Sequence, residues 1–181
     1  MHLKDKWSAI THFISMLMAI FAGIPLLIKA AQEPSKIYIV SLSIYILSMI
    51  LLYFASTLYH SLDISEQVNC NLKKFDHMMI SVLIAGSYTP ICLLVLEKPL
   101  GYFLLILVWS FAVIGILIKA FWINCPKWFS SVLYIGMGWT CVLAFVPIFK
   151  SFSTSLNNAR TLDVFPSVGI SYTKYASSIP L

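Results

Sequence analysis

Residues 37–77 read IYIVSLSIYILSMILLYFASTLYHSLDISEQVNCNLKKFDH, and their pattern decides the fold. No charge occurs from Ile37 to Tyr53, and the apolar character carries on to about Leu62. Such a run is long enough to cross the roughly 30 Å hydrocarbon core of a bilayer as a helix. A polar excursion occupies Asp63 to Lys74, and at Phe75 a second apolar run begins. Two spans joined this way place the end of the first and the start of the second on one side of the membrane. Ser56 and His60, spaced i,i+4, share a helix face at the end of the first. Asp76 and His77 stand at the start of the second. A serine, a histidine and an aspartate at one depth of a membrane mark a candidate functional site.

The whole chain agrees with that local reading. Of its 181 residues 60% are hydrophobic and only 10% charged, against about 25% charged in soluble domains. The class is all-α: a polytopic transmembrane helix bundle. The apolar runs are continuous rather than alternating, which argues against a transmembrane β-barrel. The net charge of +5 comes from lysines scattered among the junctions between runs. That suits membrane topology and leaves no basic cluster for nucleic acid. The expected partners are membrane lipids, in the cell membrane. Cys70, Cys92, Cys125 and Cys141 form no CxxC pair, so neither a structural disulfide nor a cysteine metal site is expected.

In chain order the spans fall near residues 7–28, 37–62, 75–96, 100–118 and 129–149, about five in all. The first is too long for a signal-peptide core and is read as a retained span. Gly23 and Pro25 are positioned to bend its far end. Pro90 in the third removes a backbone hydrogen bond, and Ser87 and Thr89 are expected to satisfy what it frees. Gly136 and Gly138 in the fifth would permit close helix contact. Residues 151–181 form a polar loop and a weak, interrupted sixth segment, broken by Pro166, Lys174 and Pro180. With the N-terminus cytoplasmic, that face receives Lys4, Lys6, Lys73, Lys74, Lys119 and Lys127. The opposite face receives Lys29, Lys36, Lys98 and Lys150, so the positive-inside rule favours this orientation.

Three helix ends then meet at one face. The start of span one brings Asp5, Ser8, Thr11 and His12; the end of span two brings Ser56 and His60; the start of span three brings Asp76 and His77. Histidine with carboxylate in such a place suits zinc, whose catalytic sites keep one position open for water. Simpler readings stand beside it. An SxxxH pair on a membrane helix also serves as hydrogen-bonded packing, and an aspartate at a helix start suits the dipole. His12 alone reads as structural. Asp76 and His77 point about 100° apart, so only one of them faces a shared centre.

Four groups of residues carry a resemblance. They are Ser8-x-x-Thr11-His12, Ser56-x-x-x-His60, Phe75-Asp76-His77 and Ala85-Gly86-Ser87-Tyr88-Thr89-Pro90. Over about residues 5–150 the chain resembles the hemolysin III family, nearest its bacterial branch. That family sits within the wider group of progestin and adiponectin receptors and alkaline ceramidases. Asp5 and Ser8 depart from the glutamate and asparagine common at these positions. The resemblance implies a seven-helix membrane protein with a zinc site near the cytoplasmic face. His60 would be a metal ligand, Asp76 would position or activate the zinc-bound water, and Ser56 would support the site. Two further histidine ligands would come from an HxxxH pair on the last helix.

His77 is the last histidine of this sequence. Gly169-Ile-Ser-Tyr-Thr173 resembles the start of helix six, whereas residues 174–181, KYASSIPL, fit nothing expected of that helix. The expectation is therefore a chain truncated before the last helix, with an incomplete metal site. Its expected function is that of a zinc-dependent hydrolase of lipid amides or esters. A membrane-perturbing cytolysin, a receptor-like scaffold without chemistry and an inactive remnant are the alternatives.

Overall fold

The computed structural model describes residues 5–121, 131–132, 134–140, 142 and 149. Those residues are helical apart from short connections. Four long helices, α1 (Lys6–Gln32), α2 (Lys36–Ser61), α3 (Glu66–Pro90) and α4 (Lys98–Phe121), succeed one another. A π-helical turn, Ile91–Val95, extends α3. Each of the four is long and apolar enough to cross a membrane. With about 1.5 Å of rise per residue, α1 is about 40 Å long, comfortably more than the hydrocarbon core.

The short connections force neighbouring helices to run antiparallel, and each packs mainly on the next in sequence: α1 on α2, α2 on α3, α3 on α4. Outward faces are apolar. Trp7 is 81% exposed and Phe121 82%, an arrangement stable in lipid but not in water. The tightest core lies where α3 and α4 meet the helical residues 134–140, with Ala85, Cys92, Val108, Ala112 and Met137 buried together. Tyr88 donates to the Met137 and Gly138 carbonyls at 3.2 and 3.3 Å. Trp109 Nε1 donates to Thr89 Oγ1 at 3.2 Å. Inside a membrane such bonds tie helices that hydrophobicity alone does not hold together.

Two close approaches set the register of α2 against its neighbours α1 and α3. A Cβ on Gly23 would lie 2.8 Å from Ile46 Cγ2, fixing α1 against α2. A Cβ on Gly86 would overlap the Ser48 hydroxyl, so α3 meets α2 at a point that only glycine allows. A Cβ at Gly136 or Gly138 would meet nothing within 4 Å. Among the described residues these two glycines therefore do not serve the close contact expected of them.

The structure departs from the expected loop over residues 63–74, since α3 already begins at Glu66. Ser65 caps it, its side chain accepting from the Val68 N–H at 3.3 Å, and Glu66 complements the helix dipole. The segment is polar, so hydropathy reads it as loop. Its Glu66, Gln67, Leu72, Lys73 and Lys74 nonetheless favour helix, and residues 66–74 carry α3 about 14 Å beyond Phe75. At Pro90, Ser87 and Thr89 turn back onto the carbonyls of Ile84 (2.8 Å) and Ala85 (2.9 Å). They do not take the Gly86 carbonyl that the proline leaves without its N–H, and the helix widens into the π-turn directly afterwards. Pro25 lies within a continuous α1. The fifth expected span is described only in part, and residues 151–181 lie outside the described residues.

Candidate functional site

The Ser48–Gly86 contact fixes the depth of the polar residues at one end of the bundle. His60 lies about 18 Å along α2 from Ser48, and Asp76 about 15 Å along α3 from Gly86. The two therefore sit at nearly the same level of the membrane. Ser56 stands about one turn before His60 on the same helix, closer to the Ser48 contact.

His60 is the best-surrounded of these groups. Its Nδ1 faces Asp5 Oδ2 at 3.9 Å. Its ring stacks on His12, with centroids 5.5 Å apart and planes 20° apart, and meets the edge of Tyr59 at 4.9 Å. The Asp5 N–H donates to the His60 carbonyl at 3.1 Å, joining the start of α1 to the last turn of α2. Ser8 Oγ donates to Asp5 Oδ2 at 2.6 Å. That bond, aided by backbone N–H groups and by His60, holds the Asp5 carboxyl below the usual carboxylate range.

Asp76 and Ser56 are more enclosed. The Asp76 side chain is 13% exposed, with His77 Nδ1 3.8 Å from its Oδ2. His77 Nδ1 lies 2.7 Å from the Lys73 carbonyl, which makes it the protonated nitrogen, since a carbonyl only accepts. The His77 carbonyl in turn accepts from Tyr134 Oη at 2.7 Å. Ser56 is buried on α2.

The ligand chemistry can be tested on this geometry. A catalytic zinc needs three protein ligands converging on one point. The stacked His12 and His60 rings lie nearly parallel, and their in-plane lone pairs do not converge. His77 is engaged by Lys73. Among the described residues no three His, Cys, Asp or Glu side chains are placed to hold a metal ion. These residues alone do not fit a zinc centre.

His12 and Asp5 join the centre more closely than their sequence positions imply. The signal for them was the i,i+4 pair Ser8 and His12, at the same depth as His60. An apolar groove of about 490 Å³ lies between α1 and α2, lined by Met18, Ala22, Gly23, Met49 and Tyr53 among others. Tyr53 links the two features, its ring 6.3 Å from that of His12.

Fold and site together define a multi-pass helical membrane protein with a polar centre at one membrane face. The chain belongs to the Haemolysin-III related family, whose sequence profile matches residues 2–177. It is 42% identical over 146 residues to a "Hemolysin-3 homolog" of Bacillus subtilis (strain 168), covering 81% of this chain and 68% of that protein. It is 38% identical over 144 residues to "Hemolysin-3" of Bacillus cereus, covering 80% of this chain and 65% of that one. The match thus spans about two thirds of each relative. No solved structure matches the chain.

Proposed function

We propose that Ser56, His60 and Asp76, which lie toward one end of the bundle, together form the working site of this protein. In this reading it belongs to a zinc-dependent hydrolase acting on amide or ester bonds of membrane lipids. His60 is its metal ligand, and Asp76 and Ser56 are the catalytic groups beside it. The observation that carries the reading is the common depth of His60 and Asp76, fixed by the Ser48–Gly86 contact. The groove supports a lipid substrate, because an acyl chain lying between α1 and α2 would pass Tyr53, whose ring is 6.3 Å from that of His12. The described residues do not complete a zinc ligand set, so the reading requires donors beyond them.

The N-terminus is taken as cytoplasmic, on the balance of lysines between the two faces. The experiment is lipid hydrolysis in vesicles containing the purified full chain, with zinc supplied. Product release that is lost in Ser56→Ala, His60→Ala and Asp76→Ala supports the proposal. Equal release from wild type and all three variants, or none from wild type, removes it.

Membrane lysis is the second reading, favoured by the relatives that carry the name Hemolysin-3. Dye release from vesicles that proceeds without lipid cleavage, and is indifferent to His60→Ala, would select it over the hydrolase.

A further inference from the structure

The chemistry open to His60 depends on which ring nitrogen carries the proton, and its surroundings bear on that choice. Nδ1 faces Asp5 Oδ2 at 3.9 Å, an electrostatic approach longer than a hydrogen bond. The carboxylate is itself anchored. Its Oδ2 accepts from Ser8 Oγ at 2.6 Å, and the Asp5 N–H is bonded to the His60 carbonyl at 3.1 Å. Swinging Asp5 away would loosen both ties. The plane of the imidazole is set separately, by the His12 stack on its face and the Tyr59 contact. Within that plane, the remaining choice is whether an N–H or a bare lone pair meets the carboxylate.

A neutral imidazole has one donor nitrogen and one acceptor, while a carboxylate only accepts. An N–H directed at Asp5 is attracted, and a lone pair directed at it is repelled. We propose that Asp5 is the positioning residue of His60: it keeps the proton on Nδ1 and leaves Nε2 as the working nitrogen of the centre. Holding one ring nitrogen by a carboxylate is how histidine ligands and bases are commonly oriented. The proposal rests on the reading of His60 as a working residue, and Asp5 itself touches no substrate. Ser8 acts one step further back, through the carboxylate.

The test is nitrogen-15 solid-state NMR of the full chain in lipid vesicles, with the histidine rings labelled and the His60 signals assigned by their loss in His60→Gln. Spectra are recorded at about pH 8.5, above the ordinary imidazole range. Wild-type His60 is expected in the Nδ1–H form. Asp5→Ala should lose that signal in favour of Nε2–H, and Asp5→Glu should restore it. Ser8→Ala, which frees the carboxylate without removing it, should shift part of the population. An Nε2–H ring in the wild type, or an Nδ1–H ring that persists in Asp5→Ala, overturns the proposal. If Asp5→Ala does not fold, an unchanged spectrum in Ser8→Ala overturns it equally. The measurement needs neither metal nor turnover, so loss of the hydrolase reading and loss of this assignment are separate results.

Discussion

The perturbation that reaches furthest through this structure is a side chain at Gly86. A Cβ there would overlap the Ser48 hydroxyl and come within 2.7 Å of Ser48 Cβ, with the Ile44 carbonyl 3.5 Å away. Only part of the clash can be relieved by rotating a side chain, because Ser48 Cβ is fixed to α2. Gly86→Val therefore pushes α3 away from α2. Glycine and valine are both modest helix formers, differing by roughly 0.3–0.5 kcal/mol, so propensity nearly cancels. Overpacking then dominates, at about 1–3 kcal/mol. The assay is thermal unfolding in detergent, with Gly136→Val as control, since a Cβ there meets nothing within 4 Å. Gly86→Ala should be partly rescued by Ser48→Gly, which clears the opposing side chain. Equal stability of the two valine variants, or no rescue in the double variant, would refute the reasoning about how α2 and α3 meet.

Other contacts yield outcomes of their own. Tyr88→Phe removes the hydroxyl shared between the Met137 and Gly138 carbonyls and should cost about 0.6–2 kcal/mol in the same unfolding assay. Trp109→Phe should cost less, about 0.5–1 kcal/mol, because Thr89 keeps its own bond to the Ala85 carbonyl. Asp5 has a depressed folded pKa, so its tie to Ser8 is fully present above the ordinary value of 3.8 and is lost as pH falls through the lower folded value. Hydrogen exchange at the start of α1 should quicken over that acidic window in the wild type, and Ser8→Ala should begin to quicken at higher pH. On the proposed hydrolase reading, filling the groove with Ala22→Phe should lower hydrolysis of long-chain lipids more than that of short-chain ones, as read by product analysis.

Much of the bundle is legible in the sequence, because a membrane imposes simple rules. Uninterrupted apolar runs such as Ile37–Tyr53 have few alternatives to a spanning helix. The same simplicity misleads at residues 66–74, where polarity argues for a loop but Ser65 and Glu66 start a helix. Hydropathy measures what surrounds a segment, whereas capping and propensity decide its backbone. At the site, the i,i+4 spacing of Ser56 and His60 and the shared depth of Asp76 come from topology. The His12 stack and the Asp5 contact do not, because they depend on how α1 rolls against α2. Gly23 against Ile46 helps set that roll, and one sequence does not reveal which glycine meets which neighbour.

Whether His60 anchors a metal-dependent centre is decided by counting zinc. The full chain, purified in mild detergent and washed free of loose metal, would be analysed by elemental mass spectrometry beside His60→Ala and His77→Ala. If donors outside the described residues complete the ligand set as the proposed function requires, the wild type carries zinc, His60→Ala loses it and His77→Ala, whose ring is already engaged by the Lys73 carbonyl, keeps it. Equal zinc in wild type and His60→Ala, or none in either, would contradict the proposed role of His60.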